Sequence, residues 1–316
     1  GGIQALIDKA PPHYWELIKP DSDTNYPWPA ILLGYPVSAI AFFCTDQAMV
    51  QSVLGARNLE QGQLGVSFIG WLKIFSLPLF IIPGIICFVL YPDLGDPDLA
   101  YMTMVTNLFP TGLNGLVIVV LIAVLVGTVG SSLNALSAVF TTDIYAKKIN
   151  PNASTRQLIK TGRITILVGC VIAVLIAIAI DNIKGLKLFD IFQAVLGFIA
   201  PPLAVVFLLA VFWKKTSRNA VNFTLSWGAA LSLGVGALYL WVFPSDQYSF
   251  WPHYLLLSFY TFALLFLLTV LISLTDKTPV RYTVVDRKNV SPPTKLVKRV
   301  WGALIIVMII LYLTFH

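Results

Sequence analysis

From about residue 29 to its end the chain alternates long apolar runs with short polar ones. A helix needs about 20 predominantly apolar residues to cross the hydrocarbon core of a bilayer. Eight stretches meet that length, near 29–51, 66–90, 113–140, 162–180, 189–212, 219–243, 254–275 and 298–315. They predict an all-α integral membrane protein with eight transmembrane helices. Residues 29–316 form one helical domain behind a polar segment, 1–28, with no separate soluble module. Composition agrees, since 57% of residues are hydrophobic and only 11% charged, against about 25% charged in a soluble domain.

The positions of Lys and Arg orient the spans. Loops 52–65, 143–163, 213–218 and 275–300 hold 16 of the 21 Lys and Arg residues. The opposite side holds Lys9, Lys19, Lys184 and Lys187, and Lys73 is the one cation left inside a span. The positive-inside rule therefore puts the first set of loops in the cytoplasm and both chain ends outside, which makes 1–28 extracellular. The net charge of +6 is this bias and not a nucleic-acid footprint. A membrane-surface patch around Lys295, Lys298 and Arg299 is the alternative use of the same charges.

Lys73 lies nine residues into the apolar run 64–91. A charge at membrane depth costs about 2.5 to 3.5 kcal/mol on insertion scales, so it faces a partner, a water-filled cavity or the interface. Nine residues are about 14 Å of helix, so snorkelling of the long side chain stays open. Other chemistry is sparse. Cys44, Cys87 and Cys170 fall inside spans with no CxxC spacing, and His13, His253 and His316 are scattered, so neither a disulfide nor a zinc site is indicated. Asp46, Asp143 and Asp190 lie near span ends, and there is no nucleophile elbow and no phosphate-binding loop. This pattern points away from an enzyme and calls for no organic cofactor. The sequon at Asn152 falls on the cytoplasmic side, where it would stay unused.

The chain opens Gly1-Gly2 without a signal peptide, which reads as an exterior loop cut from something longer, whereas YLTFH reads as a natural end. Three spans carry irregular features. Pro36 and Gly34 lie inside the first, and Pro36 removes a backbone donor. That is either a plain kink or the interrupted helix of a transporter binding site. In the third, Gly127, Thr128, Gly130, Ser131, Asn134 and Ser137 recur at spacings of three and four, a small and polar stripe down one face. Such a stripe serves close helix packing or offers oxygens to a cation. In the fifth, Gln193 offers donors and an acceptor to a hydroxylated ligand or to a neighbouring helix, and Pro201-Pro202 is expected to interrupt the helix beyond it.

With these residues the sequence resembles the sodium/solute symporter family, in its sodium/glucose cotransporter-like branch. The resemblance rests on YPWP (26–29), FCTDQAMVQ (43–51), GWLK (70–73), PGIICFVLYPD (83–93), FTTDIY (140–145), GR (162–163), LFDIFQ (188–193) and APPLAVVFLLAVFWKK (200–215). It implies the second half of an inverted-repeat (LeuT-like) fold of two five-helix repeats, with this chain starting just before the broken first helix of the second repeat. The N-terminal half would then be missing, and the fragment alone should not transport. It further implies sodium-driven symport of a sugar or polyol by alternating access in a cell membrane, with a sugar-like solute and sodium as partners.

Carried over by resemblance, Lys73 and Gln193 match the family's sugar-contacting lysine and glutamine. Phe42 falls where an aromatic, usually Tyr, closes beneath the sugar, so the gate survives without its hydroxyl. Ala39 falls where a polar contact is common. At the sodium site Gly127-Thr128 takes the place of a Ser-Ser pair and Val124 that of the backbone-carbonyl ligand, so one hydroxyl is lost. These departures keep two alternatives in view, an uncoupled solute sensor or channel and a symporter of a non-sugar solute.

Overall fold

A computed structural model of the chain describes residues 2–23, 25–181, 187–244, 247–248, 250–276 and 292–315. Lys184, His316 and most of the charges in the 275–300 loop lie outside the described residues. Every regular element within them is helical. In chain order they are α1 (Ile3–Lys9), α2 (Trp28–Thr45), α3 (Gln47–Leu54), α4 (Leu59–Leu90), α5 (Ala100–Leu108), α6 (Thr111–Val139), α7 (Thr155–Asp181), α8 (Leu188–Phe212), α9 (Arg218–Phe223), α10 (Ala229–Ala237), α11 (Tyr254–Thr275) and α12 (Lys295–Thr314). A π-helical stretch, Phe140–Ile149, carries α6 onward, and a shorter one, Thr224–Gly228, joins α9 to α10. Among the described residues eight helical segments are long and apolar enough to cross a membrane, as the sequence pattern predicts.

Two compact units divide the chain, Gly1–Asp98 with Lys184–His316 and Leu99–Ile183. In the first unit α2, α8 and α11 pack mutually, α10 lies on α8, and α12 lies on α4. Small residues allow this. Val37 and Ala41 of α2 meet Ala200 and Ala204 of α8, with Phe259 and Phe262 of α11 against them. Close approach of small side chains is what holds helices together in lipid, where burying apolar surface brings no net gain. In the second unit α6 packs on α7, and Ser137 of α6 donates to the Gly162 carbonyl of α7 at 3.0 Å.

The interruption expected at Pro201-Pro202 is absent, and the break considered at Pro36 falls elsewhere. α8 runs unbroken through Pro201-Pro202. The two prolines cannot donate to the carbonyls four residues earlier, those of Gly197 and Phe198. Ser258 of α11 donates to the Gly197 carbonyl at 2.7 Å, and Ser232 of α10 donates to the Phe198 carbonyl at 2.6 Å. Each orphan is thus repaired by a hydroxyl from a neighbouring helix, the way membrane helices tolerate proline. Replacing both Ser232 and Ser258 by alanine should lower stability by about 2 kcal/mol, near 1 kcal/mol for each lost bond. Thermal unfolding in detergent would show it, and an unchanged midpoint would mean the repairs contribute nothing.

α2 likewise runs unbroken through Pro36, and the chain breaks later, at Asp46. There the backbone is extended (φ −67°, ψ 123°), and the Asp46 carboxylate caps α3 by accepting from the Met49 N–H at 3.0 Å. The first span therefore ends at Thr45 rather than at residue 51. One lost backbone bond at Pro36 does not stop α2, because Ala30, Gly34, Val37 and Ala41 are buried along one of its faces.

Candidate functional site

In α2 the face opposite that buried one carries Tyr35, Ala39, Phe42 and Phe43, with Ser38 at its edge. In α8 the matching stripe is Phe189, Phe192, Gln193 and Leu196. Both follow the spacing of one helical face, three and four residues apart. The two stripes, with Lys73 from α4, line a single open pocket of about 260 Å³. All four residues marked for the solute, Lys73, Gln193, Phe42 and Ala39, are in its wall.

The Lys73 ammonium stands 5.1 Å from the centroid of the Phe43 ring, a cation–π arrangement. Among the described residues no carboxylate lies within ion-pair distance of it, and the ion pair seen there is the exposed Lys147–Asp143 at 2.6 Å. The pocket thus offers an ammonium with three donors, an amide with donors and an acceptor, and the faces of several aromatic rings. It contains no carboxylate and no nucleophile paired with a base. Ammonium, amide and ring faces are groups suited to contact with a small hydroxylated molecule.

The sequence reading missed six lining residues, Tyr35, Ser38, Phe43, Phe189, Phe192 and Leu196. Extending the helical stripes from Ala39 and Phe42 and from Gln193 was the signal that would have found them. Ser38 is 3% exposed, and its hydroxyl has no hydrogen-bond partner.

The residues marked for sodium belong to the second unit. Val124, Gly127 and Thr128 share one exposed stretch of α6. The Thr128 hydroxyl donates to the Val124 carbonyl at 2.9 Å, which sets two oxygens side by side with lone pairs remaining on each. Gly127 contributes no side chain, and nothing lies within 4 Å of where its Cβ would be.

Beside the pocket, the segment before α2 is tied to the starts of α8 and α11. The Tyr26 hydroxyl donates to Asp190 at 2.5 Å, three residues before Gln193. Burial first, and then that bond, hold the Tyr26 phenol well above its usual range. Asp23 accepts the N–H groups of Tyr26 and Asn25, both at 2.8 Å, and the Tyr26 bond is the main reason its carboxyl is lowered. His253 caps α11. Its Nδ1 accepts from the Leu255 N–H at 3.3 Å, so its Nε2 carries the proton and donates to the Asn25 carbonyl at 2.7 Å.

Burial pulls the His253 pKa below its ordinary 6.5, although the Asn25 contact and the charges of Asp190 and Asp23 oppose this. A second proton would remove the cap and put a cation at a helix N-terminus. The unfolded chain takes up that proton near pH 6.5 while the folded chain resists, so stability must fall as pH drops through that value. Melting curves between pH 8 and pH 5 should show this loss in the native protein and less of it in His253→Asn, which keeps an acceptor. Equal pH dependence of the two proteins would contradict the assignment.

The sequence of the chain is similar to those of known proteins. The model of the sodium:solute symporter family matches residues 4–223. Sodium/myo-inositol cotransporter 2 of Oryctolagus cuniculus is 32% identical over 243 residues, 72% of this chain and 35% of that protein. Sodium/glucose cotransporter 4 of Danio rerio is 34% identical over 229 residues, 67% of this chain and 34% of that protein. Sodium/glucose cotransporter 2 of Rattus norvegicus is 30% identical over 250 residues, 74% of this chain and 37% of that protein. The chain thus spans about a third of the length of these relatives.

Proposed function

This chain belongs to the sodium:solute symporter family, and from that premise we propose that it supplies the solute-binding wall of a sodium-coupled symporter for a sugar or polyol. It is a multi-pass membrane protein, and its curated relatives are cotransporters. One observation carries the proposal, the pocket in which Lys73, Gln193 and five aromatic side chains converge from three helices. Ammonium and amide groups hydrogen-bond solute hydroxyls, while aromatic faces cover the C–H face of a ring. Phe42 closes one side of the pocket, and Ala39 leaves room where a bulkier residue would intrude.

Sodium enters as the co-transported ion. Thr128 Oγ1 and the Val124 carbonyl serve as two of its ligands, with the space at Gly127 admitting water in place of a second hydroxyl. Binding of the ion stabilises the solute-accepting state, and by linkage the solute raises sodium affinity by the same factor. Rocking of one helix bundle against the rest then exposes the pocket to the other side. The solute leaves chemically unchanged.

The intact transporter should bind myo-inositol or glucose at least fivefold more tightly in sodium than in equimolar choline, the lower end of ordinary coupling energies. Equilibrium binding in detergent reads this directly. Equal affinities in the two salts would refute sodium coupling. Current evoked by solute without its accumulation would favour a sensor or channel.

A further inference from the structure

We propose that Ser38 is a solute-binding residue, its hydroxyl pairing with one particular hydroxyl of the sugar or polyol. The inference rests on the solute site proposed above and adds a contact made by a residue that stands beside the family-like positions. Its first support is an exception. Most buried helix hydroxyls among the described residues have protein partners. Ser67 and Thr269 bond back to carbonyls four residues earlier, and Ser137, Ser232 and Ser258 reach carbonyls of neighbouring helices. Among the described residues with buried hydroxyls, Ser38, Thr141 and Tyr254 lack one, and Tyr254, at the start of α11, does not line the pocket. A helical serine of this kind can bond back to the carbonyl four residues earlier, here that of Gly34, and Ser38 does not.

The second support is position. Thr141 lies in the π-helical stretch of the other unit, whereas Ser38 lines the pocket itself, at the edge of the α2 face that carries Tyr35, Ala39 and Phe42. An unpaired buried hydroxyl is unfavourable for folding. A ligand hydroxyl would relieve that penalty on binding. The site would then read the solute from three helices, with Ser38 on α2, Lys73 on α4 and Gln193 on α8 all lining the pocket. This compensates for Ala39 and Phe42, which bring no polar group. The chemistry selects a cyclic polyol with hydroxyls on opposite edges of its ring, whose C–H faces rest on Phe42, Phe189 and Phe192.

The test measures binding of glucose, myo-inositol and their mono-deoxy analogues, each lacking one hydroxyl, to the intact transporter in sodium. The native protein should disfavour one analogue by about tenfold relative to its parent. Ser38→Ala should bind the parent about tenfold more weakly, lose its discrimination against that analogue alone, and melt at the same or a higher temperature without solute. Ser38→Thr, which keeps the hydroxyl, should retain discrimination. If Ser38→Ala discriminates as the native protein does, or weakens every analogue equally, the assignment is overturned although the pocket stands. If the native protein binds none of these solutes, the reading of the pocket fails and this inference fails with it.

Discussion

Lys73→Ala in the intact transporter should weaken solute binding by roughly 10-fold to 100-fold while changing its melting temperature little. Hydrogen bonds made by a charged group contribute about 1.5 to 3 kcal/mol, and 1.4 kcal/mol is tenfold in affinity. The stability side follows from what Lys73 touches. Its described contact is the Phe43 ring at 5.1 Å, with no ion pair. An exposed cation–π contact contributes about 0.5 to 1 kcal/mol, and removing the charge also relieves the cost of holding it in the span. Binding and stability should therefore separate in this variant. Isothermal titration and thermal melting on the same preparation check both. A large loss of stability with unchanged binding would mean that Lys73 is structural.

Gly34→Val should cost about 3 kcal/mol or more and abolish solute binding together with the fold. A Cβ at Gly34 would stand 2.7 Å from the Leu255 Cβ and closer still to the Leu255 carbonyl. Backbone cannot rotate aside as a side-chain tip can, so α2 and α11 would have to separate. Overpacking in a tight core costs about 1 to 3 kcal/mol and more where nothing yields. Moving α2 also displaces the face that carries Ser38, Ala39 and Phe42. Gly127→Ala is the control. Nothing lies within 4 Å of that position, so stability should hold while sodium affinity falls if water uses the space. Unfolding curves for the two variants decide the matter, and equal stability would contradict the crossing at Gly34.

The apolar runs revealed eight spans because length and hydrophobicity are local properties that each segment carries by itself. The meeting of Lys73 and Gln193 was expected only from the resemblance to the symporter family, since alone the lysine could snorkel and the glutamine could bond a neighbouring helix. The continuity of α8 was hidden. The prolines are visible in the sequence, but Ser232 and Ser258, which repair the two carbonyls, come from other helices. Pro36 left a kink and a break both open, and the break falls at Asp46, whose short carboxylate caps the next helix. Ser38 could not be singled out, because unsatisfied burial is a property of the packed structure. Tyr26 and Asp190 are 164 positions apart, and nothing local pairs them.

We propose above that this pocket belongs to a sodium-driven carrier of polyhydroxylated solutes. The most direct test is uptake of radiolabelled myo-inositol and glucose by proteoliposomes that contain the intact transporter, under an inward sodium gradient. At least one solute should accumulate transiently above its external concentration. That accumulation should vanish when the gradient is dissipated and be strongly reduced in Lys73→Ala. Uptake that only equilibrates and is indifferent to sodium would contradict the proposal.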